Sequence, residues 1–513
     1  MNKNFYITTP IYYPSGKPHM GHAYSSIIAD IFARFKRIEG YNVLFLTGTD
    51  EHGQKIQKEA EKNNKDPKIF CDELSDKFRS LTKILNLTND DFIRTSEKRH
   101  SKSVNELWKK LVKSGDIYLD KYSGWYSVSD EAFYDEDEIE VKEGKKISKS
   151  SGSLVEWVEE ESYFFKLSSW TKKLLEHYKN NKEFILPVSR KNEVINFVEK
   201  GLKDLSISRT SFSWGISVPN NKKHIIYVWL DALTNYISAL NFPDTNDKKY
   251  KMFWPADVHI IGKDILAPPH AVYWPIMLHA SNLKLPKQIL AHGWWMTSGE
   301  KMSKSSGDTV NPLDLIKKRG VDPFRYFVMR EMTVGQDADF SVERFESRYK
   351  TDLGNDLGNL VSRLFHMIEV YEGGVVPEVE LNEEFEQNIR SNFEKTKSEV
   401  LKCLDLFQFN QGLNQIFVFI RSINKYADER TPWKLAKSDD PKDRLLLKTC
   451  LGVMCESLRL AIQMLAPILP EVHSRVNQLM GLPPCESWET DLCWDFRLAG
   501  QKLEKKIILF PRD

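Results

Sequence analysis

Phe5-Tyr6-Ile7-Thr8-Thr9-Pro10-Ile11-Tyr12-Tyr13-Pro14-Ser15-Gly16-Lys17-Pro18-His19-Met20-Gly21-His22 is the stretch on which the fold turns. A short apolar run, Phe5 to Thr8, has the character of a buried strand, and a Pro/Gly-containing loop follows it. An amphipathic helical stretch then runs from about Ala23 to Glu39, and a second apolar run, Val43 to Thr47, completes a β-α-β unit. That rhythm predicts an α/β protein with a parallel sheet and ligands at its strand ends. The motif Pro18-His19-Met20-Gly21-His22 lies between strand and helix, where a helix N-terminus favours an anion such as phosphate. Gly21 allows close backbone approach to a nucleotide, and His19 and His22 can each donate to a phosphoryl oxygen. Alone the motif is weak, because two histidines in a loop are more often metal ligands or simply solvated.

Working outward, 513 residues exceed the size at which a single core stops growing, so two to four domains are expected. With 41% hydrophobic and 28% charged residues and no run of eighteen apolar positions, a membrane span is not expected. The N-terminus carries neither an apolar core nor an Arg/Ser-rich leader, which predicts a cytoplasmic protein. Six scattered cysteines without a C-x-x-C pair argue against a disulfide framework or a zinc knuckle. A net charge of +1 means that any polyanion must be held by local basic patches.

From about Lys110 to Phe212 the rhythm breaks into short strand candidates rich in Tyr, Trp, Glu and Ser, as expected of an insertion folded outside the main sheet. It resumes at His224 to Leu230, Val258 to Gly262 and Gln288 to Met296. After about Phe345 the spacing becomes helical over Leu357 to Tyr371, Glu383 to Leu404, Gly412 to Ala427 and Leu445 to Leu469. The last residues, Lys505 to Pro511, are strand-like and are expected to fold back on an earlier part of the chain.

Lys301-Met302-Ser303-Lys304-Ser305 follows the strand predicted to end near Met296. Two lysines on a Gly/Ser-rich loop can neutralise charge on a triphosphate and on departing pyrophosphate. A near copy, Lys146-Ile147-Ser148-Lys149-Ser150, follows an acidic run within the insertion. It is expected to be a surface turn with no strand ending against it.

The two motifs together, H-x-G-H near the start and K-M-S-K-S near residue 300, resemble the signature of class I aminoacyl-tRNA synthetases. Further stretches resemble the methionyl-tRNA synthetase family in particular: Thr9 to Tyr13, Gly48-Thr49-Asp50-Glu51-His52-Gly53, Tyr227 to Leu233, Ile261 to Ile265 and Thr431-Pro432-Trp433. The resemblance covers nearly the whole chain. It implies a split Rossmann-like parallel-sheet catalytic domain (1–110 and 221–300) interrupted by a connective insertion (111–220). A K-M-S-K-S and stem-contact region (301–345), an α-helical bundle anticodon-binding domain (346–480) and a C-terminal segment (481–513) follow. It also implies a ligase that activates methionine with ATP and transfers it to the terminal adenosine of tRNA(Met). Methionine would meet Ile11, Tyr13, Asp50, Trp229, Ala232, Leu233, Tyr236, Ile265 and His270. ATP would meet His19, Gly21, His22, Asp264, Lys301 and Lys304, with His19, His22, Lys301 and Lys304 catalytic. Anticodon bases would meet Asn355, Asn359, Arg363 and Trp433.

Physical chemistry fits these assignments. A thioether suits aromatic and aliphatic walls, Asp50 suits an ammonium, and an indole can stack on an unpaired base. The bland alternatives are a helix cap for Asp50, one face of a core helix for Trp229 and Tyr236, and a polar helix face with a core tryptophan for the anticodon residues. Magnesium should accompany ATP. No zinc is expected, because residues 110 to 212 contain no cysteine where many relatives carry zinc knuckles. Many members of the family append a C-terminal tRNA-binding domain that makes dimers; this chain ends just after Phe510-Pro511, so the resemblance implies a variant without that domain and a monomer is expected. Another class I synthetase, a small nucleotidyltransferase and an inactive RNA-binding relative are the rivals. The insertion is too short for the editing domain that isoleucine, valine or leucine enzymes usually carry.

Overall fold

The computed structural model describes residues 3–14, 16, 18–130, 132–142, 144–297, 300–301, 312–380, 383–504 and 508–511. At positions 122, 132, 133, 160, 297, 300, 301 and 312 it describes the backbone alone. Two compact units divide the chain, Asn4–Ala29 with Val43–His292, and Met1–Lys3 with Asp30–Asn42 and Gly293–Asp513.

The first of these units is built on a six-stranded sheet. β1 (Asn4–Thr8) leads through α1 (Met20–Ile38) to β2 (Asn42–Thr49), and β3 (Asp91–Arg94) follows. After α2 (Lys98–Lys113) comes an antiparallel pair, β4 (Ile117–Ser127) and β5 (Glu156–Phe165), then a two-residue strand β6 (Ile185–Leu186). A short helix α3 (Val228–Leu233) precedes β7 (Val258–Gly262) and β8 (Gln288–His292). The strand order is β3-β2-β1-β7-β8-β6, and the β2–β3, β1–β7, β7–β8 and β8–β6 pairings are parallel. β1 and β7 are the neighbours at which the direction of winding reverses. Ligand crevices of parallel sheets lie there, outside the carboxyl ends of the strands. Both faces are covered, so β7 is buried along its whole length, with its one polar residue, His259, bonded to the Thr8 hydroxyl at 2.8 Å. Tyr6, Leu46, Ile93, Trp108, Tyr236 and Trp274 share one core.

The other unit holds a small sheet of β9 (Trp295–Thr297), β10 (Glu300–Lys301) and, beyond α4 (Val321–Glu331), β11 (Ala338–Asp339). Its helices α5 (Asn359–Glu372), α6 (Glu384–Asp405), α7 (Phe409–Arg430), α8 (Pro441–Leu465) and α9 (Pro470–Leu479) match the four helical stretches expected from periodicity, with α9 added after a Pro stop. Within this unit Arg325 and Asp30 form a fully buried ion pair at 2.8 Å, and the guanidinium also donates to the carbonyls of Pro467 and Ile468. Those added acceptors satisfy two further donors of a charge that burial would otherwise penalise.

Several expectations need correction. α1 starts at Met20, not near Ala23, so Gly21 and His22 lie in its first turn. Residues 110–212 do not fold wholly outside the main sheet, because β6 is its edge strand, paired with β8. At His224 to Leu230 a strand, Asn221–Ile226, does pass into a helix from Val228, but that strand pairs antiparallel with Ser208–Arg209 in a separate small sheet and not in the main one. Gln288 to Met296 is split after His292, because Gly293 presses against Gln336, whose carbonyl oxygen would be 2.0 Å from an added Cβ. The Lys146 copy sits on a strand, Lys145–Ser148, that runs into the surface turn. Its Lys146 ammonium lies 3.7 Å from the Trp125 ring centroid, and Lys149 donates to the Asp137 carbonyl at 2.6 Å. Ile508 to Pro511 forms no strand; it folds back so that the Tyr349 hydroxyl donates to the Pro511 carbonyl at 2.8 Å. Among the described residues no helix is long and apolar enough to cross a membrane.

Candidate active site

The start of α1 is capped by imidazoles. His19 precedes the first helical residue, and its Nδ1 accepts the Gly21 amide proton at 3.1 Å. The His22 Nδ1 in turn accepts the His19 amide proton at 3.0 Å. This is the reciprocal logic of a capping box, with two histidines in place of a hydroxyl and a carboxylate. Because both Nδ1 atoms accept, each neutral ring carries its proton on Nε2, and two Nε2–H donors are defined beside a helix N-terminus. The rings lie 3.7 Å apart, centroid to centroid, and His22 is held edge-on by Tyr12 at 4.8 Å and by Phe78 at 5.1 Å. A Cβ on Gly21 would come within 3.1 Å of His19 Cε1, so the glycine serves this ring as well as any ligand.

Asp50 is buried just beyond the carboxyl end of β2, where its amide donates to the Tyr12 carbonyl at 2.9 Å. Gly48, two residues earlier, has no room for a side chain: an added Cβ would meet the Ile93 carbonyl oxygen at 2.0 Å. Glu51 is fully buried and accepts from Arg94 at 2.6 and 2.9 Å, from Ser96 at 2.5 Å, and from Thr49 and Ser75. Burial pushes the Glu51 carboxyl up, but these donors outweigh it and leave it ionised below the ordinary carboxylate value. Asp50 is thus carried on a loop whose next residue is anchored by an ion pair.

The remaining predicted methionine residues lie around the carboxyl ends of β1 and β7. Ile11 and Tyr13 are half-buried, and the Lys55 ammonium lies 5.5 Å from the Tyr13 ring centroid. Trp229, Ala232 and Leu233 belong to α3, with Trp229 the partly exposed member and its ring 6.2 Å from that of His270. Tyr236 is buried and its hydroxyl lies 2.8 Å from His270 Nε2, while His270 Nδ1 lies 2.8 Å from the Ile265 carbonyl. A carbonyl only accepts, so His270 carries its proton on Nδ1 and accepts the Tyr236 proton at Nε2. Burial lowers His270 to about 4, keeping the ring neutral at physiological pH. Tyr236 also stacks on His259 at 4.0 Å. Ile265 is half-buried and Asp264 exposed, one turn beyond β7. Lys301 is described by its backbone in β10, paired with Met296. Lys304 lies outside the described residues.

In the helical unit Asn355, Asn359 and Arg363 are all exposed. The four-residue spacing of Asn355, Asn359 and Arg363 predicts one face of one regular helix, but Asn355 falls in a wider, π-helical segment, Tyr349–Gly358, and only Asn359 and Arg363 share α5. The Arg363 guanidinium lies 5.5 Å from the ring of Trp433 and 3.6 Å from Asp428. Thr431, just before Pro432-Trp433, has φ 47°, an unusual backbone for a β-branched residue.

Sequence reasoning missed three groups. His292, at the end of β8, lies 2.6 Å from the Ser25 hydroxyl, which donates to the Gly21 carbonyl at 3.0 Å. Asp231 is buried and accepts from both His52 and His100. Arg94 holds Glu51. An aspartate inside the apolar run Tyr227 to Leu233 was the available signal for the second group. Among the described residues no cluster of three or more His, Cys, Asp or Glu could hold a metal ion.

Comparison with known proteins bears on the whole chain. A family model described as tRNA synthetases class I (M) matches residues 5–146 and 143–365, and one described as the anticodon-binding domain of tRNA ligase matches residues 386–492. The chain is 47% identical to methionine-tRNA ligase 1 of Bacillus cereus over 521 aligned residues, covering 100% of this chain and 78% of that one. It is 46% identical to the methionine-tRNA ligase of Rickettsia felis over 516 residues, covering 100% and 99%. A solved structure of Mycobacterium tuberculosis methionyl-tRNA synthetase in complex with methionyl-adenylate superposes with a TM-score of 0.97 at 42% identity, covering 99% of this chain and 100% of that one.

Proposed function

The chain belongs to the methionyl-tRNA synthetase family of class I synthetases, and from that premise we propose that it joins methionine to tRNA(Met) in two steps. In the first, the methionine carboxylate attacks the α-phosphorus of ATP and pyrophosphate leaves. In the second, a ribose hydroxyl of the terminal adenosine attacks the adenylate carbonyl and AMP leaves. The observation that supports this reading best is a set of unlike groups at the carboxyl ends of three strands. Two Nε2–H donors at a helix N-terminus suit phosphates, and a buried carboxylate, on a loop that His52 and Asp231 bond to the helix carrying Trp229, suits an amino acid with an apolar side chain.

Each residue has a role within that reading. Asp50 pairs with the substrate ammonium, and Ile11, Tyr13, Trp229, Ala232, Leu233, Tyr236, Ile265 and His270 enclose the thioether. Because His270 is neutral and already accepts from Tyr236, that wall offers no charge to the side chain and favours an uncharged ligand. Asp264 accepts from the ATP ribose. His19, His22, Lys301 and Lys304 stabilise charge on the phosphates, with Gly21 admitting the nucleotide, so rate comes from positioning and electrostatics and needs no side-chain nucleophile. Magnesium travels with ATP and supplies charge neutralisation on its phosphates; the protein needs no zinc. Residues 1–110 and 221–300 form the catalytic domain, to whose sheet the connective insertion, 111–220, adds the edge strand β6; 301–345 is the stem-contact region, 346–480 the anticodon domain and 481–513 a C-terminal segment that folds back. Asn355, Asn359, Arg363 and Trp433 read anticodon bases. The protein works in the cytoplasm as a monomer.

The test is ATP-pyrophosphate exchange across the twenty amino acids, with chelator-treated enzyme and magnesium as the sole divalent ion returned. Exchange with methionine alone is expected. Exchange with another amino acid would overturn the pocket assignment, and recovery only on adding zinc would overturn the metal assignment.

A further inference from the structure

We propose that Asp231 is a positioning residue for amino-acid binding, acting through His52 on the loop that carries Asp50 and through His100 on α2. The inference rests on the methionine pocket assigned above.

Asp231 has no exposed surface, and its two oxygens take one bond each: Oδ2 from His52 Nδ1 at 2.7 Å and Oδ1 from His100 Nε2 at 2.7 Å. Each partner is itself placed. His52 is buried edge-on to Trp214 at 5.5 Å, and the Trp214 indole donates to the Glu51 carbonyl at 2.5 Å. His100 is completely buried in the first turn of α2. Along the chain, Asp231 follows Trp229 by two residues and directly precedes Ala232 and Leu233, while His52 follows Asp50 by two. One carboxylate therefore ties the helix bearing three pocket residues to the loop bearing the ammonium partner.

A buried carboxylate is a poor device for cohesion alone, since an apolar side chain of similar volume does that job as well or better. What it adds is direction: one short bond to an ionised oxygen fixes α3 against the Asp50 loop through His52, and a second fixes it against α2 through His100, more tightly than packing does. Burial pushes the Asp231 carboxyl up, yet the two imidazoles outweigh this and bring it to about 2, so both oxygens remain acceptors across the working pH range.

The experiment uses amide substitutions that keep or displace the donor. An asparagine Nδ2 falls where a histidine Nδ1 was, and a glutamine Nε2 where a histidine Nε2 was. His52→Asn and His100→Gln should therefore keep the methionine KM within about threefold of the unsubstituted protein, the span of one neutral hydrogen bond. His52→Gln and His100→Asn displace the donor and should raise it by roughly tenfold or more, the worth of a bond to a charged group, with ATP KM unchanged. Asp231→Asn keeps the volume but accepts from only one ring, and supplies the same split should the histidine variants fail to fold. Melting temperatures are recorded for all five. If the paired amides at each site behave alike, or if methionine and ATP KM rise together, the positioning role is overturned. Asp50→Asn is measured alongside: an unchanged methionine KM there would overturn the pocket itself, whereas a raised one with no split at Asp231 would overturn this inference alone.

Discussion

At the scale of single residues, the capping histidines hold the start of α1 and, in the proposed function, also meet the phosphates, two duties that a substitution can separate. Asparagine is among the best helix N-caps, so His19→Asn should preserve the start of α1 while removing the Nε2–H donor. We expect a melting temperature close to that of the unsubstituted protein and a fall in the pyrophosphate-exchange rate of roughly 100-fold, the usual cost of one preorganised donor. A parallel loss of stability would mean that the ring serves only the helix. Gly48 poses the opposite case, a position where any side chain collides with the Ile93 carbonyl across the β2–β3 pair. Gly48→Ala should destabilise by about 1–3 kcal/mol in urea unfolding, because the strands must part to admit the methyl group. It should also raise methionine KM, since Asp50 is carried by the same strand end.

At the scale of elements, the informative feature is the junction after α7. Thr431 ends that helix in the left-handed region, a backbone that costs a non-glycine residue about 1–2 kcal/mol, and Pro432 then fixes the approach to Trp433. Strain of this kind persists where the surroundings impose it, and the Arg363 guanidinium beside the Trp433 ring is part of those surroundings. Trp433→Ala should lower aminoacylation by raising the tRNA KM about 5- to 100-fold, the worth of one stacked base, and leave pyrophosphate exchange nearly intact. Equal losses in both assays would remove Trp433 from the anticodon surface. Thr431→Gly should relieve the strain, raising the melting temperature slightly while weakening tRNA binding, because the tryptophan is then held less firmly.

At the scale of the molecule, stability against pH is set by carboxylates that folding takes out of water. Asp322, near the start of α4, accepts from the Val472 amide at 2.7 Å through one oxygen, and its other oxygen has no partner among the described residues. Burial raises it from 3.8 to about 7. A carboxyl raised in the folded state stabilises fully below its unfolded value and loses that contribution as pH rises through its folded value. The contribution of Asp322 should therefore fade between about pH 4 and pH 7, by an amount on the order of a few kcal/mol. Melting temperatures of Asp322→Asn and of the unsubstituted protein, compared across that range, should differ in slope, with the variant the flatter. Identical slopes would show that Asp322 ionises normally.

The sequence by itself determined the β-α rhythm of the first residues, the helical spans after residue 345 and the positions of the motifs that carry the family resemblance. These are local properties: helical and strand periodicity are written in neighbouring residues, and a motif is a run of them. Only the tertiary structure decided what depends on partners remote in the chain. β6 is two residues long, too short to show a period, and becomes a strand because β8 offers it a parallel edge. Asp231 has the composition of an anomaly in an apolar helix until His52 and His100, 179 and 131 residues away, close on its two oxygens. Even the helix start at Met20 was hidden, since histidine is not a customary cap. It became one only because a second imidazole three residues on returned the bond, and because Tyr12 and Phe78 hold that ring in place.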